Sequence, residues 1–330
     1  MLIDRFVALS PIDAPKIAQE TEASGYDALW TTENRNEPFL SLVRAADASS
    51  TLTLGTGVAI AFARTPMTVA YSAYALAQVA QGRFILGLGS QVRGHIASRF
   101  SMPWSAPAER MAEFIAALRS IFACWQHGEP LAFRGEHYKH TLMNENFAPE
   151  RHEFGPPPIY LAGVGPKMTA VAGAVADGFF GHPFTSASYL ADVTMPHLRS
   201  AGRRPVSVQS AFVILGTTPD ELAVSEAAVR RRIGFYASTA AYRPVLDHHG
   251  LAELQPRADA LARAQDWDGL TSLVPDELVH AFAVSGDPVD VATQLHERYD
   301  GLVDRIGLNV QAPTPPSQIA ATVAHLRALG

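Results

Sequence analysis

Short apolar, β-branched runs alternate with longer helical patterns almost from end to end of the chain, which restricts the fold to repeated βα units around a parallel sheet. The strands read as 6–9, 27–31, 52–58, 83–87, 159–162, 178–181, 206–215 and 303–309. Between and after them, helical patterns mark 14–24, 38–48, 66–80, 108–125, 168–176, 189–201, 220–237, 289–299 and 319–329. Gly25 suits the left-handed position just past the first helix, and Pro38 suits an opening turn. Prolines at 130, 149 and 156–158 break the pattern over 127–158, and a second irregular, partly helical insertion covers 240–279. Eight strands in about 250 residues plus two insertions favour one (β/α)8 TIM barrel over residues 1–330, with a doubly wound sheet as the alternative. The first insertion is expected over one rim of the barrel.

Composition supplies the core and removes several function classes. Hydrophobic residues make up 48% of the 330, so a large core can be buried, and 24 glycines with 23 prolines stay below a low-complexity content. A net charge of −6 argues against the concentrated basic face that nucleic acid needs. Cys124 is the only cysteine, which rules out an internal disulfide framework and fits a reducing cytoplasm. Asp4 and Arg5 interrupt the first apolar run, and no stretch approaches the ~18 apolar residues of a membrane span. The chain reads as soluble and cytoplasmic, with no nucleic-acid or membrane partner.

Active sites of such barrels lie at the carboxyl ends of the strands. That rule selects Ser10, Thr32 to Asn34, Ala59 to Arg64, Gly89 to Gln91, Gly163 to Gly165, and His182. Gly163 and Gly165 precede Pro166 and a helix, so they either form a tight turn or aim backbone amides at a phosphate, with Lys167 adding a cation. The cluster Gly87-Leu88-Gly89-Ser90 is neither a Walker loop nor a dinucleotide fingerprint. No His-Glu-x-x-His helix appears, and His137/His140 and His248/His249 lie in the insertions, so no metal is expected. Gly-x-Ser-x-Gly is absent, which disfavours an α/β-hydrolase. Glu33 serves either as an acid/base or as a carboxylate ordering its loop, and His182 either as a general acid or as a loop hydrogen bond. Trp125, Phe133, Tyr138, Phe147 and Tyr242, in or beside the insertions, either line a partly apolar pocket or anchor their own loops.

Four segments together resemble the bacterial luciferase-like superfamily of flavin and deazaflavin oxidoreductases: Gly25 to Glu33 (GYDALWTTE), Leu54 to Val58 (LGTGV), Gly82 to Ser90 (GRFILGLGS) and Pro158 to Gly165 (PIYLAGVG). Gly286-Asp287-Pro288 before a helix also fits, and the resemblance spans essentially the whole chain. Ala61 to Pro66 (AFARTP), Gly89 to Ile96 (GSQVRGHI), Ala176 to Gly178 and His182 to Phe184 resemble the actinobacterial branch that uses coenzyme F420. The resemblance implies a barrel that binds the ring at the strand carboxyl ends and moves a hydride between the cofactor C5 and a small substrate, in a homodimer. It also implies a non-prolyl cis peptide at Gly57-Val58, with Gly57, Val58 and Ala59 backing the ring. It assigns Ser90, Gln91 and Arg93 to the ribityl chain or acidic tail, and Ala162, Gly163, Val164 and Gly165 to the phosphate. Many relatives carry Asp-His where this chain has Glu33-Asn34, so the usual histidine acid is missing and proton transfer falls to Glu33, with His182 and His95 behind it. The alternatives are a reduced-FMN monooxygenase and a non-catalytic cofactor-binding barrel.

Overall fold

The computed structural model describes all 330 residues. Eight strands, β1 (Leu2–Val7), β2 (Ala28–Thr31), β3 (Thr53–Thr56), β4 (Phe84–Gly89), β5 (Ile159–Gly163), β6 (Gly178–Gly181), β7 (Val206–Leu215) and β8 (Arg305–Val310), form a closed parallel ring. Each pairs with the next, and β8 returns to β1 through Leu2↔Arg305 and Ile3↔Ile306. The ring is the α/β TIM barrel expected from the alternation.

The helices that alternate with the strands are α1 (Ala14–Ala23), α2 (Pro38–Ala46), α3 (Pro66–Val79), α4 (Pro107–His127), α5 (Pro166–Val175), α6 (187–198, with a π-helical middle), α7 (Pro219–Ala237), α8 (Pro288–Tyr299) and α9 (Pro316–Leu329). Several begin one to three residues earlier than the apolar spacing suggests, because a proline occupies the first turn, where its missing N–H costs nothing. Thr65, Thr218 and Asp287 cap α3, α7 and α8 through side-chain oxygens that accept backbone N–H groups. Gly25 takes the left-handed conformation after α1, with φ of +77°.

Strand one starts at Leu2, not at Phe6 as hydropathy suggests, because its charges are satisfied on both faces, Asp4 inside the barrel and Arg5 outside it, where Nη1 donates to Thr21 Oγ1 on α1 (2.9 Å). Asp4, wholly buried, accepts hydrogen bonds from Arg305 Nε (2.8 Å) and Nη2 (2.7 Å) and from Trp30 Nε1 (2.7 Å). Above this pair Trp30, Tyr160, Phe180 and Val208 fill the interior, with Phe6, Val58, Ile85, Ala162 and Val206 packed on them. A glycine on the neighbouring strand makes the room: a Cβ at Gly55 would stand 2.1 Å from Trp30 Cζ3.

The 128–158 segment does not cover a rim of the barrel as expected but runs along the outside of α3 and α4, held by side chains of those helices. Tyr138 Oη accepts from Arg110, Tyr71 Oη donates to the Phe147 carbonyl, and His152 lies 4.1 Å from the Tyr74 ring. Tyr138 therefore anchors its loop. The 240–279 segment is mostly helical, in pieces Arg243–His248, Leu254–Arg263, Trp267–Ser272 and Asp276–Phe282. With α7 it encloses a separate apolar cluster that includes Val229, Ile233, Leu246, Leu270 and Phe282. The chain leaves β7 at Gly216 and returns along it as the short strand Ala283–Gly286, with Gly216 N–H donating to the Gly286 carbonyl. The standard crossover to β8 is then α8.

Candidate active site at the carboxyl rim

The expected third strand, 52–58, divides in two. Thr56 ends β3, the Gly57-Val58 peptide is cis, and Ala59–Ile60 resumes alongside β4 through Ala59↔Leu88 and Ile60↔Gly89. Thr56 Oγ1 donates to the Gly87 carbonyl (2.6 Å) and accepts from Gly87 N–H (2.9 Å), tying the break to β4. A Cβ at Gly89 would come within 2.6 Å of Val58 Cγ2 and 3.9 Å of Ala162 Cβ. Val58, Gly89 and Ala162 thus form an apolar floor over the barrel's aromatic interior. No ionisable side chain belongs to this floor.

Glu33, at the end of β2, reaches across to this break. Its Oε2 accepts from Ile60 N–H (2.7 Å) and from Arg64 Nη1 (2.7 Å), and Arg64 extends to Glu37 Oε1 (3.2 Å). The carboxylate therefore holds the 57–64 loop, while its Oε1 accepts no hydrogen bond. Asn34, beside it, is joined to the loop after β4 by Arg99 Nη2, which donates to the Asn34 carbonyl (3.0 Å).

The β4 loop carries Ser90, Gln91, Arg93 and His95. Ser90 Oγ donates to the Gln91 carbonyl, and Gln91, at φ of +61°, accepts Val92 N–H on its own side chain. Arg93 and His95 stand exposed on the short helical turn that follows, π-helical over His95–Arg99. After β5, Gly163 to Gly165 lead into α5, whose first turn has no side-chain cap, and a side chain at Gly165 would enter open space. The uncapped amides at this N-terminus suit an anion.

His182 follows β6 as expected but faces the helical excursion. Its Nδ1 accepts Phe184 N–H (3.0 Å), which leaves Nε2 protonated and donating to Tyr242 Oη (3.1 Å). The Tyr242 ring stacks at 4.5 Å and the Tyr236 ring stands edge-on at 4.7 Å. Enclosure among these rings pushes the imidazole down to about 3, although the residue keeps some exposed surface, so it is neutral at pH 7. Burial pushes the Tyr242 hydroxyl up. His182 is therefore a hydrogen-bonding partner of Tyr242, and no imidazolium is available there as a general acid.

Asn309 was not among the residues selected from the sequence. Arg305 and Gly307 face inward, and the two-residue repeat of β8 puts Asn309 on the same face at the rim, where it accepts from Gln311 Nε2. Applying the end-of-strand rule to the last strand finds it. No group of three or more His, Cys, Asp or Glu side chains is placed to hold a metal ion, and no helix is long and apolar enough to cross a membrane.

A closed parallel barrel with an apolar floor, a glycine turn and a polar rim at its carboxyl end has the architecture of a TIM-barrel enzyme. The family model described as luciferase-like monooxygenase matches residues 9–305, and the chain belongs to that family. An uncharacterized protein of Mycobacterium tuberculosis is 45% identical over 301 residues, covering 89% of this chain and 88% of its own. The 5,10-methylenetetrahydromethanopterin reductase of Archaeoglobus fulgidus is 27% identical over 286 residues, covering 84% and 82%. Among solved structures, the coenzyme F420-dependent tetrahydromethanopterin reductase from Methanopyrus kandleri superposes with a TM-score of 0.78 at 19% identity, over 98% of this chain and 96% of that one.

Proposed function

We propose that the protein is a deazaflavin-dependent oxidoreductase, moving a hydride between C5 of coenzyme F420 and a small, partly apolar organic substrate. The observation that carries this reading is the floor of Val58, Gly89 and Ala162, an apolar patch free of charge on which a planar heterocycle would rest. The fit extends to the rim. The uncapped turn from Gly163 to Gly165 offers N–H groups to a phosphate, with Ala162 and Val164 beside them, and Gly165 leaves the space open. We assign the ribityl chain and the acidic tail to Ser90, Gln91 and the exposed Arg93 in the segment after β4. Relatives support the choice of cofactor, since the Methanopyrus enzyme is a coenzyme F420-dependent reductase.

When bound, the deazaflavin supplies the hydride chemistry. The chain's own residues orient it and handle the proton. Glu33 is the first choice for proton transfer, because Oε1 is free while Oε2 is fixed by Arg64 and Ile60. The Tyr242 hydroxyl, with His182 Nε2–H bonded to its oxygen, keeps its own proton to donate, and His95 is the third candidate.

Titrating the apoprotein side by side with oxidised coenzyme F420 and with FMN tests the proposal through ligand fluorescence. Selective binding of F420 is expected, with Arg93→Ala weakening it about tenfold, equivalent to about 1.4 kcal/mol. Binding of FMN alone would make the protein a reduced-FMN monooxygenase. Tight F420 binding without turnover over a broad substrate panel would make it a non-catalytic barrel, and binding of neither would overturn the site. The reading also has the protein as a cytoplasmic homodimer, which a concentration-independent monomer mass would remove.

A further inference from the structure

The run Arg230-Arg231-Arg232 on α7 divides by function. Arg230 is spent within the fold, donating to Glu226 (2.6 Å), Asp276 (2.7 Å) and the Val274 carbonyl (2.7 Å). Arg231 makes no hydrogen bond or ion pair, and Arg232 gives only Nε, to Gln311 Oε1 (2.7 Å), with its guanidinium over the Tyr236 ring. Both line a groove of about 720 Å³ between α7, the 267–272 helix and Gln311, within the ~300–1,000 Å³ range of ligand pockets. The walls carry Phe235 and Trp267, 44% and 36% exposed, aromatic surface that a folded chain ordinarily covers. Phe235 lies one turn beyond Arg231, so a ring and a cation project together from one helix face. Asp268 sits opposite, leaving two guanidinium groups against one carboxylate.

We infer that this groove is a binding site for a planar organic anion, an aromatic or heteroaromatic carboxylate. Trp267 and Phe235 take the ring, and Arg231 with the free end of Arg232 takes the carboxylate in the forked geometry that guanidinium allows. The excess positive charge of the walls excludes a cation. The groove is joined to the barrel mouth, because Arg232 holds Gln311 and Gln311 donates to the inward-facing Asn309. The site is independent of the cofactor proposal: none of its residues belongs to the floor or to the glycine turn.

The test uses the full apoprotein and 2-naphthoate, followed by calorimetry at low salt, with 2-naphthalenemethanol and acetate as comparators that lack the charge and the ring respectively. One saturable site for naphthoate is expected, with both comparators at least about tenfold weaker, equivalent to about 1.4 kcal/mol each. Arg231→Gln and Trp267→Ala should each weaken naphthoate about tenfold, Arg231→Lys less, and Arg263→Gln on the neighbouring exposed helix not at all. Unfolding midpoints of the variants separate loss of binding from loss of fold. Absence of naphthoate binding, equal binding of the neutral alcohol, or indifference to Arg231→Gln would overturn the inference. F420 affinity unchanged in Arg231→Gln keeps this outcome separate from that of the cofactor reading.

Discussion

Acidification should remove stability through His182. The imidazole is held neutral at about 3 in the folded chain by enclosure among Tyr236, Tyr242 and Phe184, against about 6.5 unfolded. Because the folded value is the lower one, this contribution is complete above about pH 6.5 and is lost as pH falls from there toward 3. At pH 4.5, two units below the unfolded value, the loss is at most about 2.7 kcal/mol at 1.36 kcal/mol per unit. Solvent reaching the partly exposed rim reduces that to about 1–2 kcal/mol. Urea unfolding of the native chain and of His182→Gln, which carries no titrating ring, isolates the effect. The difference in unfolding free energy between the two should narrow by about 1–2 kcal/mol from pH 7 to 4.5. Nitrogen chemical shifts should show the Nε2–H tautomer unchanged from pH 8 to 5. A ring that titrates near 6.5, or a pH-independent difference, would refute the reasoning and return His182 to the list of general acids.

Two further outcomes follow from buried charge. Asp4→Asn should cost about 3–5 kcal/mol, since it leaves Arg305 uncompensated inside the barrel, while Asp4→Leu with Arg305→Met should recover most of it. Scaled by the usual unfolding entropy per residue, the single change lowers the melting temperature by about 4–7 °C, and a loss below about 1 kcal/mol in urea would count against the pair. Glu33→Gln keeps an acceptor for Ile60 N–H but gives up the charge facing Arg64, so about 2 kcal/mol of stability should go. An unmoved urea midpoint would show that the 57–64 loop does not depend on Glu33.

What could be read in the sequence was local. The apolar spacing of α4 and the glycine after α1 are signals carried within a few residues, and they located their elements. The early start of β1 was hidden because Asp4 looks like a loop residue until Arg305, some three hundred positions away, supplies a partner, and Arg5 until Thr21 on α1 takes its guanidinium. The break in β3 was similarly masked, because the β-branched and leucine alternation of 52–58 reads as one strand, and only the family resemblance pointed to Gly57-Val58. Around the mouth, the end-of-strand rule located Glu33, Gly163 and His182. It could not show what the Glu33 and His182 side chains meet, because Arg64 and Tyr242 come from other segments of the chain.

The hydrogen bond between Gly216 and Gly286 means that the helical excursion enters and leaves the barrel through one doorway. Residues 217–285 are spent between two points already in contact, so the ring's closure does not depend on their length. A short turn across that doorway would complete β7, and another excursion could be inserted there without altering the register of any barrel strand. The groove beside Arg231 and the Tyr242 hydroxyl both belong to this removable part. Selectivity for what enters the mouth can therefore diverge between relatives while the floor beneath it stays fixed.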